Sequence, residues 1–188
     1  MTLPRILSKA SSDLLWHFKE DEKKIYLTFD DGPTRKFTYW ILNALEHYHA
    51  KATFFCPGKN AEQFKTQYQS ILNAGHVVGN HTYSHLTGWF TKNRDYFQDI
   101  REAGEHINSN LFRPPHGRIK ISQIQYLKHR YRIVLWDVLS RDYNKNYSPE
   151  KIIDRVLRLS RSGSVVVFHD SEQAEENLKQ ALLTILEY

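Results

Sequence analysis

Two adjacent carboxylates and a pair of histidines are the residues of this chain best suited to chemistry. Asp30 and Asp31 close the run Tyr26-Leu27-Thr28-Phe29-Asp30-Asp31-Gly32-Pro33, in which a β-favouring stretch stops at a Gly-Pro turn. Inside a strand, neighbouring acids point to opposite faces. At a strand end they can converge, one holding a metal and the other moving a proton. His81-Thr82-Tyr83-Ser84-His85 sets two imidazoles four residues apart, a spacing that brings both rings to one cation from a helical turn or a tight loop. A carboxylate from Asp30 or Asp31 would complete a two-histidine, one-carboxylate site with positions open for water and substrate. The other acid is then free as a base. His169, just beyond the β-branched run Ser164 to Phe168, has the commonest side chain of a general acid. Each feature also has a plainer reading: Asp-Gly and Gly-Pro punctuate ordinary turns, and histidine pairs often bind nothing.

To bring these residues together, the chain needs strands whose carboxyl ends meet. Ile25 to Asp30, Ala52 to Phe55, Val77-Val78, Leu111 to Arg113, Ile133 to Val138 and Ser164 to Phe168 read as six strands. Helices are expected at Thr38 to His49, Ala61 to Asn73, Arg94 to Asn108, Ser122 to Lys128, Pro149 to Arg161 and Glu172 to Glu187. Ser148 is the N-cap of the fifth, with Pro149 at its first position. Residues 1–23 read as an N-terminal extension, partly helical near Leu14, and residues 24–188 as one catalytic domain. Repeated βα units predict a mostly parallel sheet or barrel with functional residues at the carboxyl ends of its strands. The polar clusters obey that rule: Asp30-Asp31, then Asn80-His81 and His85, then Arg113 to His116, then Asp142, then His169-Asp170.

Composition narrows the classes. With 188 residues, 40% hydrophobic and 25% charged, the chain suits one globular domain. No run approaches the roughly 20 apolar residues of a membrane span. The net charge of +5 favours anionic surfaces, but the basic residues are scattered, and no nucleic-acid partner is expected. Cys56 is the one cysteine, so no intrachain disulfide forms, and its apolar neighbours mark it as a packing group. Leu14-Leu15-Trp16 is too short for the apolar core of a signal peptide, and a cytoplasmic location is the corresponding expectation. The oligomeric state is not legible.

Five segments together resemble one family. Thr28-Phe29-Asp30-Asp31-Gly32-Pro33, His81-Thr82-Tyr83-Ser84-His85, Arg113-Pro114-Pro115-His116-Gly117, Arg141-Asp142-Tyr143 and Val167-Phe168-His169-Asp170 occur in the order seen in the polysaccharide deacetylases, the NodB-homology family or carbohydrate esterase family 4. The resemblance covers residues 24 to 187. It implies an α/β fold of the distorted (β/α) barrel type and a hydrolase that removes N-acetyl groups from an N-acetylglucosamine-containing glycan, releasing acetate. Asp30 matches the catalytic base, and Asp31, His81 and His85 match the ligands of a divalent metal, usually Zn2+, with Co2+, Mn2+ and Ni2+ as alternatives. Arg113 matches the residue that orients the base, and the backbone N–H of His116 a donor to the oxyanion. Asp142 matches the acid that orients and charges the catalytic histidine, His169.

The chain departs from the family pattern in several places. His116 stands where a tyrosine is usual, Tyr143 where a tryptophan is usual, and Val167 where a leucine is usual. Tyr143 and Val167 are expected to reshape the pocket for the acetyl methyl group. Leu139 takes an often acidic position, and the chain stops at Tyr188 where the family adds a last strand. The barrel is therefore expected to be incomplete, with an exposed edge or a partner covering it. Trp89 and Phe90 either stack on a sugar ring or pack the following helix. The alternatives to N-deacetylation are an O-acetyl esterase acting on acetylated xylan and a non-catalytic glycan-binding domain.

Overall fold

Eight strands form one curled sheet in the computed structural model, which describes residues 13–19 and 22–188. They are β1 (Leu14–Leu15), β2 (Tyr26–Asp30), β3 (Ala52–Cys56), β4 (Val77–Asn80), β5 (Leu111–Phe112), β6 (Arg132–Val134), β7 (Val138–Leu139) and β8 (Val165–His169), in the order β1-β6-β5-β4-β3-β2-β8-β7. Every ladder between them is parallel. Among the described residues seven α-helices accompany the sheet: α1 (Phe37–His47), α2 (Gly58–Gln63), α3 (Lys65–Asn73), α4 (Asn93–His106), α5 (Ile121–Leu127), α6 (Pro149–Leu159) and α7 (Glu175–Glu187). None of the described helices is long and apolar enough to cross a membrane.

Side-chain alternation in the central strands separates two apolar layers. Leu27 and Phe29 of β2, Ala52, Phe54 and Cys56 of β3, and Val166 and Phe168 of β8 face the helices. There they meet Phe37, Ile41 and Leu45 of α1 and Leu178 and Leu182 of α7, residues four apart that form one helical stripe. The intervening residues face the concave side, where Phe55, Val134 and Val165 form a smaller cluster flanked by Tyr26, Leu111 and Trp136. Thr28 and Asp30 share that inward parity, so Asp30 arrives at the carboxyl end of β2 already pointing into the mouth of the half-barrel.

Three expected elements change. The region near Leu14 is extended rather than helical: Leu14 and Leu15 pair with Ile133 and Val134, and Leu135 N–H donates to Leu15 O at 2.7 Å. Residues 1–12 and 20–21 of the expected extension lie outside the described residues. The single helix over Ala61 to Asn73 is two, broken at Phe64, whose φ of −114° and ψ of 50° are not helical. The single strand Ile133 to Val138 is also two, because the buried Asp137 side chain crosses to β8, accepting from Val165 N–H (2.9 Å) and Ser164 Oγ (3.0 Å). The expected distorted (β/α) barrel is a curled half-barrel with β1 and β7 as the edge strands of its described sheet.

Candidate active site

The turn after β2 and the loop after β4 bring three donor groups together. Asp31 takes a left-handed φ of 76° with its N–H on Phe55 O, which turns its side chain away from the ladder that aims Asp30. Asp31 Oδ1 lies 3.1 Å from His85 Nε2 and 3.7 Å from His81 Nε2. The donor atoms of the three all fall within 4.8 Å of one another. His81 Nδ1 lies 2.7 Å from Arg113 O. A carbonyl can only accept, so that nitrogen carries the proton and the lone pair of the neutral ring is on Nε2, facing Asp31.

Burial drives the His81 pKa down to about 4, against the pull of Asp30 and Asp31 and with help from His85. Its ring is thus a neutral donor at physiological pH. Burial alone would raise the Asp31 carboxyl, but the His85 hydrogen bond and the imidazoles of His81, His169 and His85 outweigh it and hold the group well below the usual carboxylate range. Two imidazole nitrogens and one carboxylate form a donor set of the kind zinc takes in catalytic sites. About a third of the His85 and Asp31 side chains is exposed, so further coordination positions face solvent. The residues fit a divalent cation.

Beside this group lie two carboxylates, each paired with a basic side chain. Arg113 is wholly buried in the half-barrel above the Phe55 ring, 4.1 Å from its centroid. It donates to Val134 O (3.2 Å), Leu135 O (3.1 Å), Thr28 Oγ1 (2.8 Å) and Asp30 Oδ1 (2.6 Å). Asp30 Oδ2 has no protein partner among the described residues. Asp142 is equally buried and accepts from the ring Nδ1 and the backbone N–H of His169, both at 2.7 Å, and from Ser140 Oγ at 2.9 Å. The His169 ring Nε2 has no protein partner among the described residues. Burial would lower its pKa, but Asp142, Asp31 and Asp30 prevail and raise it to about 9, so it is an imidazolium at neutral pH.

Three further predicted positions lie close to these residues. His116, at φ 59°, sets its ring edge-on to His85 with centroids 5.0 Å apart. Tyr143 stands edge-on to His169 at 4.8 Å. Val167 is fully buried in β8, paired with Leu139. Taken together, the arrangement can hold a cation, accept a proton at Asp30 Oδ2 and donate one from His169 Nε2, the elements of metal-assisted hydrolysis.

A family profile described as "Polysaccharide deacetylase" matches residues 18–131, more than half the chain. The chain belongs to the polysaccharide deacetylase family. A peptidoglycan-N-acetylglucosamine deacetylase of Bacillus cereus is 32% identical over 91% of this chain and 84% of its own length. A second Bacillus cereus protein of the same name is 37% identical over 80% of the chain, which spans 57% of that relative. The crystal structure of a peptidoglycan N-acetylglucosamine deacetylase in complex with 4-naphthalen-1-yl-N-oxidanyl-benzamide superposes with a TM-score of 0.89, at 31% identity over 100% of this chain and 89% of the other.

Sequence reasoning overlooked the carboxylates that hold this site in place. Asp99 of α4 accepts from Tyr83 N–H (2.8 Å), Ser84 N–H (3.1 Å) and Ser84 Oγ (2.5 Å), gripping the histidine loop from behind. Asn80 assists, accepting from Thr82 N–H (2.9 Å) and donating to Ile100 O (3.0 Å). Asp170 accepts from Thr38 Oγ1 (2.5 Å) and Thr34 Oγ1 (2.9 Å), fixing the turn that carries Asp31. A Cβ on Gly32 would collide with the Asp170 carboxylate, so only glycine fits there. The signal for Asp99 was weak, since it is one acid among many on a charged helix. Asp170 sat inside a quoted motif without a role.

Proposed function

We propose that the protein hydrolyses the acetamide of an N-acetylglucosamine-containing glycan, releasing acetate and a free amino sugar. The observation that carries this is the convergence of Asp30 Oδ2 and an imidazolium His169 on the Asp31, His81 and His85 group. Those three residues would hold a divalent cation, zinc being favoured by the two-nitrogen, one-oxygen donor set, and that cation would supply Lewis acidity to the carbonyl and to water. Asp30, held by Arg113 through Oδ1, takes the proton of the attacking water at Oδ2. His116, in its left-handed conformation beside His85, presents its backbone to the oxyanion. His169 gives its Nε2 proton to the departing nitrogen, while Asp142 on Nδ1 holds the ring in orientation and charge.

An amine is a poor leaving group unless protonated, and His169, paired through Nδ1 with Asp142, is placed to protonate it. The test is acetate release from chitin oligomers and peptidoglycan fragments, with acetylxylan as comparison. Release should stop with chelator and return with added zinc or cobalt. Turnover confined to acetylxylan would make the protein an esterase. Oligomer binding without any turnover in the metal-replete protein would make it a glycan-binding domain.

A further inference from the structure

Aromatic surface unused by this chemistry lies just past the histidine loop. Trp89 is 54% exposed and Phe90 80% exposed, on the turn that comes after His85. Trp89 is nonetheless fixed. Its indole Nε1–H donates to Ile119 O at 3.0 Å, and the Arg118 guanidinium lies over the ring, 5.7 Å from the centroid. The turn is tied as well: Gly88 N–H donates to Arg118 O (3.1 Å) and Phe90 N–H to Thr87 O (3.2 Å). Arg118 is two residues from His116, whose ring meets His85. Two residues of chain reach at most about 7 Å, so Trp89 and Arg118 belong to the same rim as His116.

We propose that Trp89, with Arg118 beside it, is a sugar-binding subsite that takes a ring of the glycan outside the one being deacetylated. This rests on the deacetylase reading above. A pyranose offers an apolar C–H face that would cover the open indole surface, and its rim of hydroxyl and amide oxygens would accept from the guanidinium. The ring is already held by its bond to Ile119, so little freedom is lost on binding. An aromatic side chain held rigid with half its surface open suits a ligand better than the core. The predicted consequence is a preference for longer chains over a single amino sugar.

The experiment measures acetate release and calorimetric affinity for N-acetylglucosamine and its β-1,4 oligomers of increasing length, using the metal-replete protein. In Trp89→Ala the advantage of long over short oligomers should shrink about tenfold, the size of effect an aromatic anchor gives. Trp89→Phe, which keeps a ring but loses the bond to Ile119, should recover part of it. Unaltered thermal melting shows that both variants fold. An unchanged length preference in Trp89→Ala overturns the subsite and leaves the deacetylase reading standing. Long-oligomer binding that depends on Trp89 without acetate release from the wild type supports the subsite and removes that reading. Trp89-dependent binding to anionic phospholipid vesicles, with oligomer affinity unchanged, would assign the residue to a lipid surface and overturn the proposal.

Discussion

The centre of the sheet and its flanks position their functional residues by different means. β2, β3 and β8 are five residues each, and their ladders set Asp30 directly beside His169 and Phe55. β5 and β7 are two residues each, too short to aim the loops that leave them. Those loops, and the histidine loop after β4, are instead held by buried side chains: Arg113 in the half-barrel, Asp142 on His169 and Asp99 on Tyr83 and Ser84. A ladder fixes where a strand ends, but it cannot orient a loop beyond that end. Buried charged groups do that here, and each is costly to leave unpaired.

The largest expected effect tests the centre. Asn at position 30 keeps the shape of the side chain and an oxygen for Arg113 but cannot take a proton. Asp30→Asn should lower kcat by about 10²–10⁴-fold, with metal content, measured by atomic absorption, unchanged. Near-wild-type turnover would place the base elsewhere and remove the special role of the β2 end.

The flank is tested by Asp99→Ala, which leaves the Tyr83 and Ser84 N–H groups without their acceptor. The histidine loop then loses its hold from α4, and zinc affinity, measured by competition with a chelating dye, should fall about 10–100-fold. Asp99→Asn keeps one acceptor oxygen and should recover much of that loss. Equal zinc affinity in Asp99→Ala would mean that the loop orders itself.

The same contrast explains what was legible in the sequence. Asp30, Asp31, His81, His85, Arg113 and His169 lie at strand ends or in closely spaced motifs, so both pattern and spacing pointed to them. Asp99 was hidden because its partners are backbone groups of a distant loop, and periodicity on α4 gives no hint of them. Leu14–Leu15 was misread because two apolar residues carry no alternation, and only pairing with β6 makes them a strand. The break at Phe64 has neither glycine nor proline to announce it. The division between β6 and β7 depends on Asp137 reaching Ser164 and Val165, a long-range contact that no local window contains.

A smaller, graded effect comes from pH at the junction of centre and flank. His169 ends β8, but its pKa is set by Asp142 from the flank, which with Asp31 and Asp30 overcomes burial and raises it from 6.5 to about 9. The native state therefore holds this proton more tightly than the unfolded chain. The stabilisation is complete below about 6.5 and is lost as pH rises through about 9. In the proposed mechanism the general acid disappears over the same range, so kcat/KM should decline about tenfold per pH unit above 9. A rate profile flat to pH 11 would show that His169 does not give up a proton in the slow step.

The smallest effect isolates a contact that joins the two regions inside the half-barrel. Thr28 Oγ1 donates to Val166 O across the β2–β8 ladder and accepts from Arg113, both at 2.8 Å. Thr28→Val preserves shape and burial but removes both bonds, leaving a guanidinium N–H and a ladder carbonyl short of a partner. Such a loss costs about 1–3 kcal/mol, visible as a lower urea midpoint at unchanged m-value. Arg113 retains its bonds to Asp30, Val134 and Leu135, so kcat should change far less than in Asp30→Asn. If kcat instead falls as far as in Asp30→Asn while the fold persists, Thr28 is needed to aim Arg113, and centre and flank are one mechanical unit.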